Sequence, residues 1–151
     1  SYYLTGNITG VANKSGIEIA ASGVTLDLNG FELAGVPESL SGVRLTLPAT
    51  ERTSIRNGSV QGWGGDGISC GSLNYVGTID GVTASRNALD GIEVGNAWTV
   101  TRCAANDNGG RGIVAYGTSV VIECQAYRNG LSGFYAATGT IVSRCTADDS
   151  T

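Results

Sequence analysis

Apolar residues alternate with polar ones in short bursts along the chain: Ile17 and Ile19 flank Glu18, Ile92 and Val94 flank Glu93, and Ile113 and Ala115 flank Val114. A spacing of two puts both apolar members on one side of an extended chain and predicts strands. A second short strand in each unit carries Val100, Cys103 and Ala105, or Val121, Cys124 and Ala126, with Gly, Asn, Asp and Ser clusters between the strands. No segment carries a 3.6-residue apolar stripe, so no helix is predicted.

The bursts recur. A glycine followed by a large apolar residue stands at Gly16-Ile17, Gly42-Val43, Gly67-Ile68, Gly91-Ile92, Gly112-Ile113 and Gly133-Phe134, at intervals of 26, 25, 24, 21 and 21. The segments ending Arg86-Asn87, Asp107-Asn108 and Arg128-Asn129 superimpose without a gap, and Cys145-Thr146-Ala147 starts a fourth. Units of this length, built only of short strands and turns, predict a parallel β-solenoid in which equivalent residues stack ~4.8 Å apart. The leucine and asparagine spacing of leucine-rich repeats is missing.

Composition narrows the chemistry. The 151 residues include no His, no Met and a single Lys14, so histidine-based nucleophile activation and His-ligated zinc are excluded. Carboxylates, Arg, Tyr and Cys remain. The 24 glycines are about twice the ordinary share and show no Gly-X-Y period, which fits a turn-dense fold and excludes collagen. A net charge of −4 offers no basic footprint for nucleic acid, and no apolar run approaches the ~20 residues of a membrane span. The length suits one domain. A start at Ser1, with no initiator Met and no charged-then-apolar leader, reads as a processed chain or an excised domain.

The units Gly91-Ile92-x6-Thr99-Val100-x2-Cys103-x4-Asn108 and Gly112-Ile113-x6-Val120-Val121-x2-Cys124-x4-Asn129 resemble the repeats of right-handed parallel β-helix proteins of the pectate-lyase-like superfamily. The opening Tyr3-Leu4-Thr5-Gly6-Asn7-Ile8-Thr9-Gly10, with Val24 to Phe31, is similar to the first coils of secreted bacterial β-helix proteins. The resemblance implies an all-β fold, a single-stranded right-handed parallel β-helix of about six coils over residues 16–151. Residues 1–15 are expected to form an N-terminal cap or a first partial coil. It also implies a secreted, extracellular or cell-surface location, and oligomers such as the trimers that several relatives form. Its enzymatic members use Asp-Asp pairs or histidines that are absent from the coil interiors here, and they build grooves from long inserted loops that 21-residue coils lack.

In such a fold the informative unit is the column of stacked equivalents. Asn87, Asn108 and Asn129 resemble the asparagine ladder of these helices, at a turn where asparagine tolerates left-handed backbone. Val82, Cys103, Cys124 and Cys145 form an inward column whose thiols are expected to stay free, a disulfide being the alternative. Charges alternate in sign down their columns: Arg86, Asp107, Arg128 and Asp149; Arg102, Glu123 and Arg144; Glu18 beside Arg44. Alternation of this kind is worth ~0.2–1 kcal/mol per pair and opposes a slip of register.

One column departs from that rule. Ser41, Asp66, Asp90, Arg111 and Ser132 precede the glycine signature, so Asp66 and Asp90 stack as like charges with Arg111 one coil further. Glu93 lies on the outer face beside them, and Trp63, three residues before Asp66, is placed there as an outward aromatic. Two carboxylates ~5 Å apart raise one pKa or recruit a cation, which makes Asp66 and Asp90 a candidate calcium site. Trp63, Asp66, Asp90 and Arg111 are the candidate ligand-binding set, for a sugar. Asp66, Asp90, Glu93 and Arg111 are the candidate catalytic set. The plain alternative is that both Asp residues cap glycine-rich turns.

Val114 and Tyr135 are expected side by side on the outer face, with Ile122 on another, as an interface or sugar-stacking patch. Trp98 is assigned to the core. The last coil shows no helix or loop that covers its open edge, so a neighbouring domain, a subunit or an end-to-end stack of copies is the expected partner there. The resulting expectation is a non-catalytic, carbohydrate-associated or structural module, self-assembling in one version, with no cofactor required. The competing expectation is a polysaccharide lyase or glycoside hydrolase acting on an acidic glycan.

Overall fold

The computed structural model describes residues 1–46, 51–71, 76–148 and 150, and among these it contains eighteen strands and no helix. Asp149, the last member of one charge column, lies outside the described residues. Six strands, Ile17–Ile19, Val43–Leu45, Ile68–Ser69, Ile92–Val94, Ile113–Ala115 and Phe134–Ala136, form one parallel sheet. Its register pairs Ile17 with Val43, Val43 with Ile68, Ile68 with Ile92, Ile92 with Ile113 and Ile113 with Phe134. The glycine-apolar signature therefore marks the same point of every coil.

The remaining strands make a twelve-stranded parallel sheet folded along its length. Two long members, Glu51–Gln61 and Val76–Ser85, cross the fold, and in later coils the same path splits in two: Trp98–Thr101 and Ala104–Asn106, Val120–Ile122 and Gln125–Tyr127, Ile141–Ser143 and Thr146–Asp148. Each coil thus has three strand segments. The single segment expected through Val100, Cys103 and Ala105 is two strands meeting at a corner, because one residue there takes left-handed backbone. That residue is Asn57 (φ 58°), Gly81 (62°), Arg102 (51°), Glu123 (56°) or Arg144 (53°). At the next corner Gly62 (70°), Arg86 (55°), Asp107 (57°) and Arg128 (49°) do the same. A non-glycine residue gives up roughly 1–2 kcal/mol in that region, so the stack must enforce it. Two of the three predicted charge columns stand on these corners, and the third, Glu18 beside Arg44, lies in register on the six-stranded sheet. Arg128 meets Asp107 at 2.8 Å and Arg144 meets Glu123 at 3.3 Å, whereas Arg102 pairs with Asp80 of the preceding coil.

Near the N-terminus Tyr2–Tyr3 pairs with Leu26–Asp27 and Ile8–Thr9 with Leu33–Ala34. The core is a set of columns of buried Leu, Ile and Val, with Ile55, Ile79, Val100 and Val121 stacked in one of them. Trp98 is in it as expected.

The asparagine column lies inside the turn, not at its left-handed residue, which is the residue before each Asn. Asn108 Oδ1 accepts from the backbone N–H of Asn87 (3.1 Å) and from Asn87 Nδ2 (3.0 Å), and Asn129 Oδ1 serves Asn108 in the same way at 3.2 and 3.0 Å. Each Nδ2 also donates to a carbonyl: Val60 for Asn87, Ala84 for Asn108, Ala105 for Asn129. Buried amides are fully used in this way, as they must be away from water. The ladder explains the glycine signature as well. A Cβ at Gly67, Gly91 or Gly112 would lie 2.6, 2.7 or 2.9 Å from the Nδ2 of Asn87, Asn108 or Asn129 respectively. These glycines are needed for close approach, not for positive φ.

Candidate functional site

The strand Ile92–Val94 turns Glu93 outward between Ser69 and Val114, its register partners, while the residue before each glycine signature sits at the sheet's edge. That edge carries Asp66, Asp90 and Arg111. The two Asp side chains brace successive turns: Asp66 Oδ1 accepts from the Asp90 N–H at 3.1 Å, and Asp90 Oδ1 accepts from the Arg111 N–H at 2.6 Å. Ser69 Oγ donates to Glu93 Oε2 at 3.2 Å. Beside them the Arg111 guanidinium lies 4.6 Å above the Tyr135 ring, whose centroid is 5.9 Å from Tyr116 in an edge-to-face arrangement. Cation–π and aromatic pairing of this kind are worth about 0.5–1.5 kcal/mol each and link the three side chains.

The electrostatics follow from partial burial. Desolvation, helped by the Asp90 charge and opposed by the hydrogen bonds from Asp90 N–H and Ser69, pushes the Asp66 carboxyl above the usual range. Glu93 is pushed the same way, first by desolvation and then by the charge of Asp66, with Ser69 and Arg111 pulling back. Desolvation and Glu93 also raise the Tyr116 phenol. A carboxylate that is hard to ionise is a better hydrogen-bond partner for a neutral group than for an anion.

Asp66, Asp90, Glu93 and Arg111 are therefore brought together, and Ser69 and Tyr116 join them. Ser69 was legible as the register neighbour of Glu93; Tyr116 was visible only as a residue near a turn. Trp63 does not belong to the group. Its ring is 1% exposed, its Nε1 donates to the Leu33 carbonyl at 3.1 Å, and a Cβ on Gly10, Gly16 or Gly42 would touch it. The indole fills the space that the asparagine ladder occupies in later coils, and Asn87 Oδ1 accepts from its backbone N–H. Val114 is likewise removed from the surface patch. It points outward by register, next to Tyr135, yet is 0% exposed, whereas Tyr135 itself is 40% exposed. Ile122 is half-buried on the other sheet, in register with Thr101 and Ser143. As for calcium, no group of three or more Cys, Asp and Glu side chains converges to hold a metal ion among the described residues, and one oxygen of each Asp is already bound to backbone.

Three strands per coil, two folded parallel sheets and an internal amide ladder define a parallel β-helix with one outward polar and aromatic cluster. The right-handed β-helix region family matches residues 41–151, and the chain belongs to it. Neither a curated protein nor a solved structure matches the chain.

Proposed function

We propose that this β-helix is a non-catalytic module that binds an uncharged glycan on the outer face around Tyr135, Arg111, Tyr116 and Glu93. The observation that carries the reading is the exposed Tyr135 ring in contact with Arg111 and Tyr116, two coils from the half-buried Glu93 carboxyl, with Val114 between them. A fixed aromatic plate takes the apolar face of a sugar ring, and adjacent carboxylates take its hydroxyls. Charge favours a neutral partner. Asp66, Asp90 and Glu93 outnumber Arg111, so a uronate chain would meet repulsion. The oxygens of Asp66 and Asp90 committed to backbone N–H groups speak against proton transfer and against the lyase or hydrolase reading. Secretion to the cell surface or beyond accords with such a role, and no cofactor is needed.

The test is calorimetric titration with neutral and uronate oligosaccharides, with and without a calcium chelator. Expected are binding of neutral chains only, indifference to chelator, no chain cleavage, and at least about tenfold weaker binding in Tyr135→Ala. Unaltered affinity in Tyr135→Ala and Arg111→Ala, or a preference for uronates, would sink the proposal.

A further inference from the structure

The turn between the asparagine ladder and the glycine signature carries an apolar ridge that neither the core nor the Tyr135 face uses. Leu40, Gly65, Leu89, Gly110 and Leu131 hold one position in successive coils, joined by their backbones. Gly65 N–H donates to the Leu40 carbonyl at 3.1 Å, Leu89 to Gly65 at 3.2 Å, Gly110 to Leu89 at 2.8 Å and Leu131 to Gly110 at 2.9 Å. Leucine thus alternates with glycine. At ~4.8 Å per coil the leucines stand ~9.6 Å apart, with a notch between each two. Leu89 is 55% exposed and Leu40 43%, although each has a coil stacked on both sides, Leu40 through its N–H to the Lys14 carbonyl. The residues one place earlier are Ser39, Gly64, Ala88, Gly109 and Gly130, so no long side chain there screens the ridge. A Cβ on Gly110 would run into Asp90 Oδ1, which keeps that notch open.

Glycine closes the same turn in two of these coils, so the turn itself does not call for leucine. A row of exposed leucines is a docking surface by its chemistry, and one whose knobs and notches share a period fits a copy of itself shifted by one coil. Closed two-fold symmetry fixes how. An axis parallel to the solenoid sets each coil against its own equivalent, leucine on leucine. An axis across the solenoid, lying in the contact plane, reverses one copy and sets leucine on glycine wherever it passes midway between two coils.

Charges select the midpoint. Between the coils of Gly65 and Leu89, Asp90 would face Asp66 of the second copy. Between the coils of Leu89 and Gly110, Leu89 faces Gly110 and Leu131 faces Gly65, while the exposed Arg86 faces Asp107 on one flank and Asp90 faces Arg111 on the other. Of the four midpoints along the ridge, this is the one at which both flanks set opposite charges together. Arg86 donates to Gln61 Oε1 through one nitrogen, and Asp107 receives Arg128 on one oxygen, so each has a second polar atom to offer.

We propose that this ridge is a homodimer interface on which a second copy of the chain docks antiparallel, Leu89 of each copy seated over Gly110 of the other. The contact is narrow, below the ~1,200 Å² of standard interfaces, so the dimer is a transient one with a dissociation constant between about 10 µM and 0.5 mM. It does not depend on a glycan, and none is present in the test.

Sedimentation equilibrium of the whole protein, from about 5 µM to about 1 mM, should show a monomer passing to a dimer and no larger species. Leu89→Ser, folded by circular dichroism, should dimerise at least about tenfold more weakly. Arg86→Glu and Asp107→Arg should each weaken self-association about fivefold or more, and an equimolar mixture of the two should recover to within about threefold of the parent, because only the mixed dimer pairs opposite charges at both contacts. Flotation with phosphatidylcholine vesicles should leave the protein in the lipid-free fraction. A monomer throughout the range, a series of larger species, unweakened association in Leu89→Ser, a mixture no stronger than either charge variant alone, or flotation of a monomer with the vesicles would each overturn the proposal.

Discussion

Asn108 carries more of the fold than any single apolar residue of similar size should. Its amide takes part in four hydrogen bonds, accepting two from Asn87 and donating to Ala84 O at 3.1 Å and to Asn129 Oδ1 at 3.0 Å. Truncation to alanine leaves some partners served. Asn87 Nδ2 keeps Val60, and Asn129 Oδ1 keeps the Asn108 backbone N–H. The Asn87 backbone N–H loses its acceptor inside the protein, which alone costs about 1–3 kcal/mol, and the remaining bonds are worth about 1 kcal/mol each. Asn108→Ala should therefore lose roughly 4–6 kcal/mol, lowering the melting temperature by about 10–20 °C in a chain of this size. Urea unfolding followed by circular dichroism measures it, with Asn106→Ala, an outward neighbour, as a control expected within ~0.5 kcal/mol. Asn108→Asp sharpens the logic, since a carboxylate cannot donate to Ala84 and is buried. Its folded-state pKa would lie above the unfolded value, so its deficit should shrink as pH falls towards about 4 and grow as pH rises. An Asn108→Ala variant within about 1 kcal/mol of the parent would refute the idea that the ladder, and not the apolar columns alone, holds the coils.

Two further outcomes follow from particular contacts. Gly91→Ala places a Cβ 2.7 Å from both Asn108 Nδ2 and the Gly112 carbonyl, and should cost about 1–3 kcal/mol in the same assay, whereas Gly6→Ala, with nothing within 4 Å, should be neutral or slightly stabilising. Asp66 has a raised folded-state pKa, so its ionisation opposes folding: the penalty is absent below its unfolded value near 4 and sets in as pH rises through the folded one. Asp66→Asn should accordingly melt higher than the parent at pH 7 and level with it near pH 4, and a variant that gains at pH 4 but not at pH 7 would contradict that sign.

Much of this architecture was legible because a solenoid writes its register into spacing. Once Gly-Ile and Gly-Val recur with alternating apolar residues behind them, the pairing of Ile92 with Ile113 requires no further information. What stayed hidden depends on neighbouring coils. Trp63 sits at the position that is Asn in later coils, and only the three glycines opposite it, Gly10, Gly16 and Gly42, show that there is room for an indole. Val114 obeys the outward alternation yet is covered at the position next to Tyr135. The extra corner in each coil is occupied by Arg102, Glu123 and Arg144, residues that carry no turn signal of their own. A column that also holds Asn57 and Gly81, both ready adopters of left-handed backbone, was the clue. For the site, the stacking of Asp66 over Asp90 was readable but its purpose was not, because a carboxylate turned back onto the next coil's backbone has the same sequence as one turned towards a ligand.

The fit between each signature glycine and the asparagine facing it makes the 21-residue coil an indivisible parcel of inheritance. A duplication that copies Gly91 to Arg111 in frame brings its own clearance and its own amide, so the chain can lengthen coil by coil with no redesign of what lies above or below. A substitution in only one partner of a glycine–asparagine pair has no such freedom, which predicts that lineages of this β-helix vary in coil number more readily than in the interior of any one coil.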